Sequence, residues 1–329
     1  MRALVTGGCG FIGSNLTRRL VSLGWEVEVV DDLSNGDIGN LSGIDMRVVT
    51  SELLPNYDSL QDSEKTLVIT GDFASPQVLS RIAEKKYDLV FHLAAWPRVE
   101  YSVNNPIKTT EQNVTKTIIL MTSCIDSVQR FIFSSSSAIY GDPVGNFPSV
   151  ESGDISPSSP YALQKKVVED YCSLYSKLYS LDSVCLRYFN VYGPGQLGDS
   201  PYSTAISAWM DKLSKSLPLR SDGDGEQTRD MVYIDDVVEA NILSALSKEK
   251  FSGDVFNIGT GESYSNNQIL EILRERFSFD VNQAPARKGD VRDTKADTEK
   301  STAVLGFSSK VSLEEGLDNT IKWWNLNAN

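Results

Sequence analysis

The chain has 329 residues, 40% hydrophobic and 23% charged, enough for one large or two modest domains around a sizeable core. A net charge of −13 argues against general nucleic-acid binding, which needs a broad basic surface, but leaves room for an anionic small ligand held by a few arginines. One histidine, His92, argues against a His-based triad or metal site; no apolar run reaches the ~18 residues of a membrane span; and four scattered cysteines (Cys9, Cys124, Cys172, Cys185) without metal-ligand spacing read as reduced thiols of a cytoplasmic protein.

In chain order, the first predicted strand is "ALVTG" (3–7), so close to the start that no signal peptide is expected. "TGGCGFIG" follows and opens a helix over 13–23. Gly7, Gly10 and Gly13 fit G-x-x-G-x-x-G, while Gly8, Gly10 and Gly13 fit G-x-G-x-x-G. Glycines there let the chain turn tightly, bring a pyrophosphate against the backbone and pack the helix on the strand. The helix N-terminus holds the anion through free N–H groups and its dipole. Cys9 reads as a small spacer in this loop. The second strand, "EVEVVD" (26–31), ends in Asp31, where a carboxylate binds an adenosine ribose diol. With Asp32 beside it, a 2′-phosphate is repelled, so NAD is expected rather than NADP.

Residues 32–64 make a long link, read as a surface excursion without an assigned role. Strand "TLVIT" (66–70) leads to Asp72 and Phe73, which either flank an adenine or serve as a helix cap and a core residue before a helix over 76–86. Strand "DLVFHL" (88–93) runs into "HLAA", whose small residues let a cofactor pass close by, and His92 reads as a satisfied core histidine. A helix over 107–127, strand "RFIFSS" (130–135), a helix over 161–180 and strand "SVCLRYF" (183–189) continue the alternation, which implies a parallel sheet covered on both faces. From about 190 the chain is turn-rich, with a helix at 236–247 and a strand at 254–259 resuming the pattern. The expected fold is α/β: a Rossmann-type doubly wound parallel sheet over 1–190, rejoined by about 235–259, and a smaller C-terminal α/β substrate-binding domain over 191–329.

"SPYALQKK" (159–166) starts a helix, with Ser159 as N-cap and Pro160 at the first helical position. Tyr161 and Lys165, four residues apart, share one helix face. A free phenol with a pKa near ~10 is a poor base at neutral pH, and a nearby ammonium brings it towards the working range. The spacing alone is common in helices. "FSSSSAIYG" (133–141) adds weight, because ligands of doubly wound sheets lie beyond the strands' carboxyl ends, where a serine hydroxyl meets a reacting oxygen. A plain serine-rich turn is the other reading.

With a glycine loop, a strand-end serine and Tyr-x-x-x-Lys in this order, the chain resembles the extended short-chain dehydrogenase/reductase family, most closely its NAD-dependent nucleotide-sugar epimerase/dehydratase branch. "VVDDLSNG", "NPIKTTEQNV", "LRYFNVYGPGQ", "GDGEQTRDMVYIDDVVEA", "FNIGTG" and "KGDVRDTKAD" extend the likeness over nearly the whole chain. The resemblance implies that Gly7, Gly10, Phe11, Ile12, Gly13, Asp31, Asp32, Asn35, Gly36, Asp72, Phe73, Leu93, Ala94, Ala95, Asn113, Ser134 and Tyr188 surround NAD, together with Tyr161 and Lys165. Tyr161 is then the base that takes the proton from the sugar 4-hydroxyl as hydride leaves C4. Lys165 tunes it and holds the nicotinamide ribose. Counting back from "AIYG" puts the catalytic serine at Ser136, give or take one position, with Ser137 also at the substrate. Asn190, Arg229, Arg287 and Asp290 meet the sugar, the diphosphate and the nucleoside ribose, a planar guanidinium suiting two phosphate oxygens. Outside these blocks both arginines read as surface ion-pairing residues.

Relatives that dehydrate the sugar need an Asp-Glu pair where this chain has serines and Ala138, so 4,6-dehydration is disfavoured, and Asp31 disfavours NADPH-dependent reduction. What remains by resemblance is redox-neutral 4-epimerisation of a UDP-sugar, N-acetylated (UDP-GlcNAc/GalNAc), neutral (UDP-Glc/Gal) or both. The alternative is a UDP-glucuronate 4-epimerase or decarboxylase, with Arg98 at a C6 carboxylate or, equally, on the surface or in a subunit interface. A dinucleotide-sensing binding protein on the same fold would lack the Tyr/Lys pair. Thr294 falls where a small residue leaves room for an N-acetyl group. Ser207, Arg220 and Asp222 depart from the usual pattern around the base, for which uridine is the default. By family analogy the amphipathic helices at 107–127 and 161–180 form the interface of a homodimer, core-facing stripes being an equal explanation of their pattern.

Overall fold

Strands of a sheet covered on both faces are near-continuous apolar runs, and the runs of this chain form that kind of sheet. In the computed structural model, which describes residues 1–56, 66–97, 99–142, 147–198, 204–285 and 291–325, these strands are β1 (Arg2–Thr6), β2 (Glu26–Asp31), β3 (Met46–Thr50), β4 (Thr66–Thr70), β5 (Leu89–His92), β6 (Arg130–Ser136) and β7 (Ser183–Tyr188). With Ser252–Ile258 they make one eight-stranded sheet in the order Ser252–Ile258, β7, β6, β5, β1, β2, β4, β3. Pairing is parallel from β6 across to β3. The flanking helices are α1 (Phe11–Ser22), α2 (Pro76–Ala83), α3 (Val99–Asn104), α4 (Pro106–Thr110), α5 (Lys116–Cys124) and α6 (Pro160–Tyr179). This is a Rossmann-type doubly wound α/β fold. The chain proceeds outward from β1 in both directions, so β1 and β5 flank the switch point beyond which ligands of such sheets bind.

The core beneath the strands joins Leu4, Ile69, Val90, Phe131 and Phe133 to helical Leu120, Met121 and Val168, all buried. Each such side chain contributes on the order of 2 kcal/mol by leaving water. Two readings from sequence change here. The 32–64 link carries β3, which lies parallel to β4 at the sheet edge. Its residues are only half-buried or exposed, as an edge strand allows, and so leave a weak hydrophobic signal. The single helix expected over 107–127 is α4, a π turn over Glu111–Thr115 and then α5. Single π turns inside helices occur frequently at functional sites.

Two units are distinguished along the chain. The first comprises Met1–Ser136, Ser159–Arg187 and Ala240–Phe256; the second comprises Ser137–Ser158, Tyr188–Glu239 and Asn257–Asn329. In the second, Asn190–Tyr192 pairs in parallel with Met231–Tyr233, and Leu219–Asp222 with Val281–Ala284. Thr228–Arg229 pairs antiparallel with Tyr264–Ser265. Helix Asn266–Arg274 begins with a capping box, Ser265 and Gln268 bonding each other's backbone N–H groups. Asp230 ties this unit together. Its fully buried carboxylate accepts from the Thr260 N–H and hydroxyl and from the Gly261 and Ala296 N–H groups.

Candidate active site

The glycine loop joins β1 to α1. Gly7 donates its N–H to the Val30 carbonyl (2.8 Å), fixing the turn against β2. At Gly13 a Cβ would lie 2.1 Å from the Gly7 carbonyl oxygen, so only glycine lets the loop close on the helix. Helix α1 is capped by Gly10 without a side-chain bond and carries no acidic residue in its first turn, where Phe11 and Ile12 are half-buried. An anion is therefore unopposed at this positive helix end.

Asp31 closes β2 at 8% exposure. Its carboxylate accepts the Cys9 N–H and the Leu33 N–H, each at 2.9 Å. Burial pushes its pKa up, and these N–H groups, with that of Gly10, pull against it. A carboxylate has about four lone-pair positions, so capacity for a ribose hydroxyl remains. Gly36 lies against it, a Cβ there falling 2.9 Å from either carboxylate oxygen. Asp32 and Asn35 are exposed, and Leu93, Ala94 and Ala95, just past β5, are half-buried. Asp72 accepts the Ala74 N–H (2.9 Å) and pairs with Lys116 (2.6 Å), while the Phe73 ring meets His92 edge-on at 4.9 Å. A bare helix N-terminus, a tight glycine turn and a strand-end carboxylate fit a dinucleotide such as NAD. His92 is held between the Thr6 and Thr117 hydroxyls at 2.7 and 2.8 Å, and burial lowers it to about 3, so it stays neutral.

Helix α6 begins as its residues dictate, Ser159 accepting the Ala162 N–H and Pro160 standing at the first position. Tyr161, 9% exposed, donates its backbone N–H to the Ser102 hydroxyl at 3.0 Å. One turn on, Lys165 is 5% exposed. Its Nζ donates to the Ser134 carbonyl at the end of β6 (2.7 Å) and lies 4.7 Å from the centre of the Phe133 ring and 5.8 Å from that of Tyr161. Burial lowers the Lys165 ammonium to about 8, against the pull of Glu169 and Cys185. Ser134 is buried and Ser136 half-buried. Asn113, in the π turn, accepts the Trp96 N–H (2.8 Å), donates to the Trp96 carbonyl (3.2 Å) and donates to Gln164 (2.8 Å), so it clamps the segment that follows β5.

The structure thus gathers the glycine loop with Asp31, and Ser134 with Tyr161 and Lys165, in the first unit. In the second, Ser137 opens a 3-10 turn over Ser137–Tyr140 and Tyr188 is buried. Asn190 donates to the Thr294 hydroxyl at 3.1 Å. Arg229, half-buried, donates to the Thr228 and Arg292 carbonyls. Arg98, Arg287 and Asp290 lie outside the described residues. Among the described residues no group of three or more His, Cys, Asp or Glu side chains is placed to hold a metal.

Sequence reasoning passed over three residues here. Gln164 and Glu169 flank Lys165 on α6, and Arg187 lies in β7, one residue before its end. The four-residue step from Lys165 to Glu169 was a readable signal; the partnership of Glu169 with Arg187 was not.

The model of the NAD dependent epimerase/dehydratase family matches residues 3–259. The chain is similar in structure to a UDP-glucose 4-epimerase of Thermotoga maritima solved with UDP-glucose (TM-score 0.86, 35% identity, 99% of each chain). It is also similar to a UDP-N-acetylglucosamine 4-epimerase of Methanobrevibacter ruminantium in complex with UDP-N-acetylmuramic acid (TM-score 0.87, 34% identity, 98% of each chain). In sequence it is 33% identical over 332 residues to a UDP-glucuronate 4-epimerase of Thermodesulfobacterium geofontis, covering 97% of this chain and 95% of that one.

Proposed function

This chain belongs to the NAD dependent epimerase/dehydratase family, and we propose that within it the chain is a UDP-sugar 4-epimerase. The observation that carries the reading is Lys165, a buried cation fixed by the Ser134 carbonyl on the helix face it shares with Tyr161, beside a serine-rich strand end without a carboxylate. NAD, when bound, would supply hydride-transfer chemistry without net consumption. The Gly7–Gly13 loop and the α1 N-terminus would hold its pyrophosphate, and Asp31 its adenosine ribose. Asn113 shapes the loop beside it.

Tyr161, as phenolate, takes the proton of the sugar 4-hydroxyl, and the Lys165 ammonium makes that phenolate accessible near neutral pH. Ser136 donates a hydrogen bond to the same oxygen. The 4-keto sugar turns over, and Tyr161 returns the proton to the new epimer. The "SSSSAIYG" stretch offers no carboxylate to protonate a leaving 6-hydroxyl, which supports epimerisation over dehydration. Asn190, Arg229, Arg287 and Asp290 are assigned to the nucleotide sugar. Thr294, half-buried and bonded to Asn190, stands where the resemblance calls for a small residue beside an N-acetyl group, and supports UDP-GlcNAc/GalNAc beside UDP-Glc/Gal.

Residues 1–190 with about 235–259 are taken as the NAD domain and 191–329 as the main nucleotide-sugar domain, a division near that of the two units except that Ser137–Ser158 group with the second. Among the described residues no helix is long and apolar enough to cross a membrane. Four buried free thiols support a cytoplasmic setting. Exposed Ile107, Ile119, Leu163, Leu174 and Leu178 on α4, α5 and α6 support a homodimer through these helices. Incubating the purified protein, without added NAD, with UDP-linked glucose, galactose, their N-acetylamines and glucuronate, and separating the products by chromatography, tests the function. Interconversion of 4-epimers is expected. Release of CO₂ and a pentose product from UDP-glucuronate would instead assign a decarboxylase.

A further inference from the structure

Three successive turns of α6 present Tyr161, Lys165 and Glu169 on one side of the helix. The Glu169 carboxylate is buried and located by three bonds. Its Oε1 accepts the Ser135 hydroxyl (2.6 Å) and Arg187 Nε (2.9 Å), and its Oε2 accepts Arg187 Nη2 (2.7 Å). Both side chains of the ion pair are 2% exposed. Ser134 and Ser135, adjacent at the end of β6, are thereby each tied to α6, the first by Lys165 and the second by Glu169. An ion pair so deeply buried contributes little net stability compared with well-packed apolar residues, which invites a different account of its presence.

We propose that Glu169, held in place by Arg187 and Ser135, is a positioning residue that keeps Lys165 charged beside Tyr161. This rests on the assignment of Tyr161 and Lys165 as the acid–base pair. Lys165 is enclosed by groups that give it little: neutral His92 from β5, the Phe133 ring and Ser134 carbonyl from β6, Tyr161 on its own helix, and Cys185 from β7, the strand that also carries the Arg187 cation paired with Glu169. The carboxylate of Glu169, one turn further along the same helix face and bonded to Arg187, is the negative charge that stands against burial of Lys165. Without it, Lys165 loses the charge that opposes its burial and gives up its proton at lower pH, and the Tyr161 phenolate loses its stabilising partner.

The test follows Tyr161 ionisation directly, as the phenolate absorbance difference between the protein and its Tyr161→Phe variant, beside the pH profile of kcat/KM. Glu169→Gln is expected to move the Tyr161 midpoint up and the alkaline limb of kcat/KM down, each by about one pH unit. It is expected to lower kcat at neutral pH about tenfold, with KM for the UDP-sugar within about threefold of the parent. Glu169→Asp keeps the charge one methylene further back and falls between the two. Should Glu169→Gln not be recovered folded, Glu169→Asp decides through the same midpoint. A midpoint and pH limbs like the parent's in these variants, with only thermal stability lost, overturn the proposal and leave Glu169 a structural residue. Full turnover by Tyr161→Phe is a separate failure, of the acid–base assignment itself.

Discussion

His92 and Lys165 are both buried in the first unit, one at the end of β5 and the other on α6, and the fold treats them in opposite ways. His92 has each ring nitrogen met by a threonine hydroxyl and packs against Phe73, so its neutral form is fully bonded and its charged form is suppressed. Lys165 has three donors, gives one to the Ser134 carbonyl, and has the Phe133 and Tyr161 rings and the Glu169 charge around it. A saturated neutral group is ordinary core. A buried cation with spare donors is a cost that packing alone never requires, and such costs gather at functional sites.

The largest expected effect breaks the comparison at its functional end. Tyr161→Phe and Lys165→Met each lower kcat by about 10²–10⁴-fold, read in the epimer-interconversion assay, as for loss of general acid–base catalysis. Wild-type turnover by either variant would remove the residue it replaces from the mechanism. The same Lys165→Met protein is expected to be the more stable one. The folded-state value of Lys165, about 8, lies below its ordinary 10.5, so between these values the unfolded chain binds the extra proton and stability rises with pH. Below about 8 the charge costs stability, and removing it raises the unfolding free energy at neutral pH by an amount on the order of 3 kcal/mol. Urea titration at neutral and alkaline pH measures this, and an unchanged or lower midpoint for Lys165→Met speaks against it.

Asn113 tests the ground between the two. Asn113→Ala leaves the Trp96 N–H and carbonyl and the Gln164 amide short of partners. Stability should drop by about 1–3 kcal/mol, and NAD retention through gel filtration should weaken as the loop loosens. A loss of stability with full NAD retention would place Asn113 with His92. The smallest effect belongs to His92→Gln, expected to leave kcat within about threefold because the residue is structural. Its signature is pH dependence. With a folded value near 3 against an ordinary 6.5, stability falls as pH drops through that window, because only the unfolded chain takes the proton. In His92→Gln this acid dependence becomes shallower in urea titrations from neutral to acid pH, and an identical slope contradicts the assignment.

Much of this was legible along the chain because it is local. Ser159 and Pro160 set the start of α6, and with it the face shared by Tyr161 and Lys165. The glycine spacing and the position of Asp31 at a strand end follow from turn and strand chemistry within about thirty residues. β3 escaped notice because a half-exposed edge strand needs no continuous apolar run. The π turn did too, because it leaves hydrophobic periodicity almost intact while it clamps Asn113 onto Trp96. Asp230 stands in "QTRDMVY" with nothing to distinguish it from a surface acid until Thr260, Gly261 and Ala296 close on it.

What the sequence by itself determined is the alternation of strands and helices, the loop that turns on glycine, and the pairing of a tyrosine with a lysine one turn away. Those depend on backbone sterics and on repeats of two and 3.6 residues, which act between neighbours. The tertiary structure alone decided which buried groups carry charge. Glu169 meets Arg187 from another element, and His92 finds Thr6 and Thr117 on two others. Desolvation and its compensation depend on what surrounds a group in space, and only the packed sheet and helices supply those surroundings.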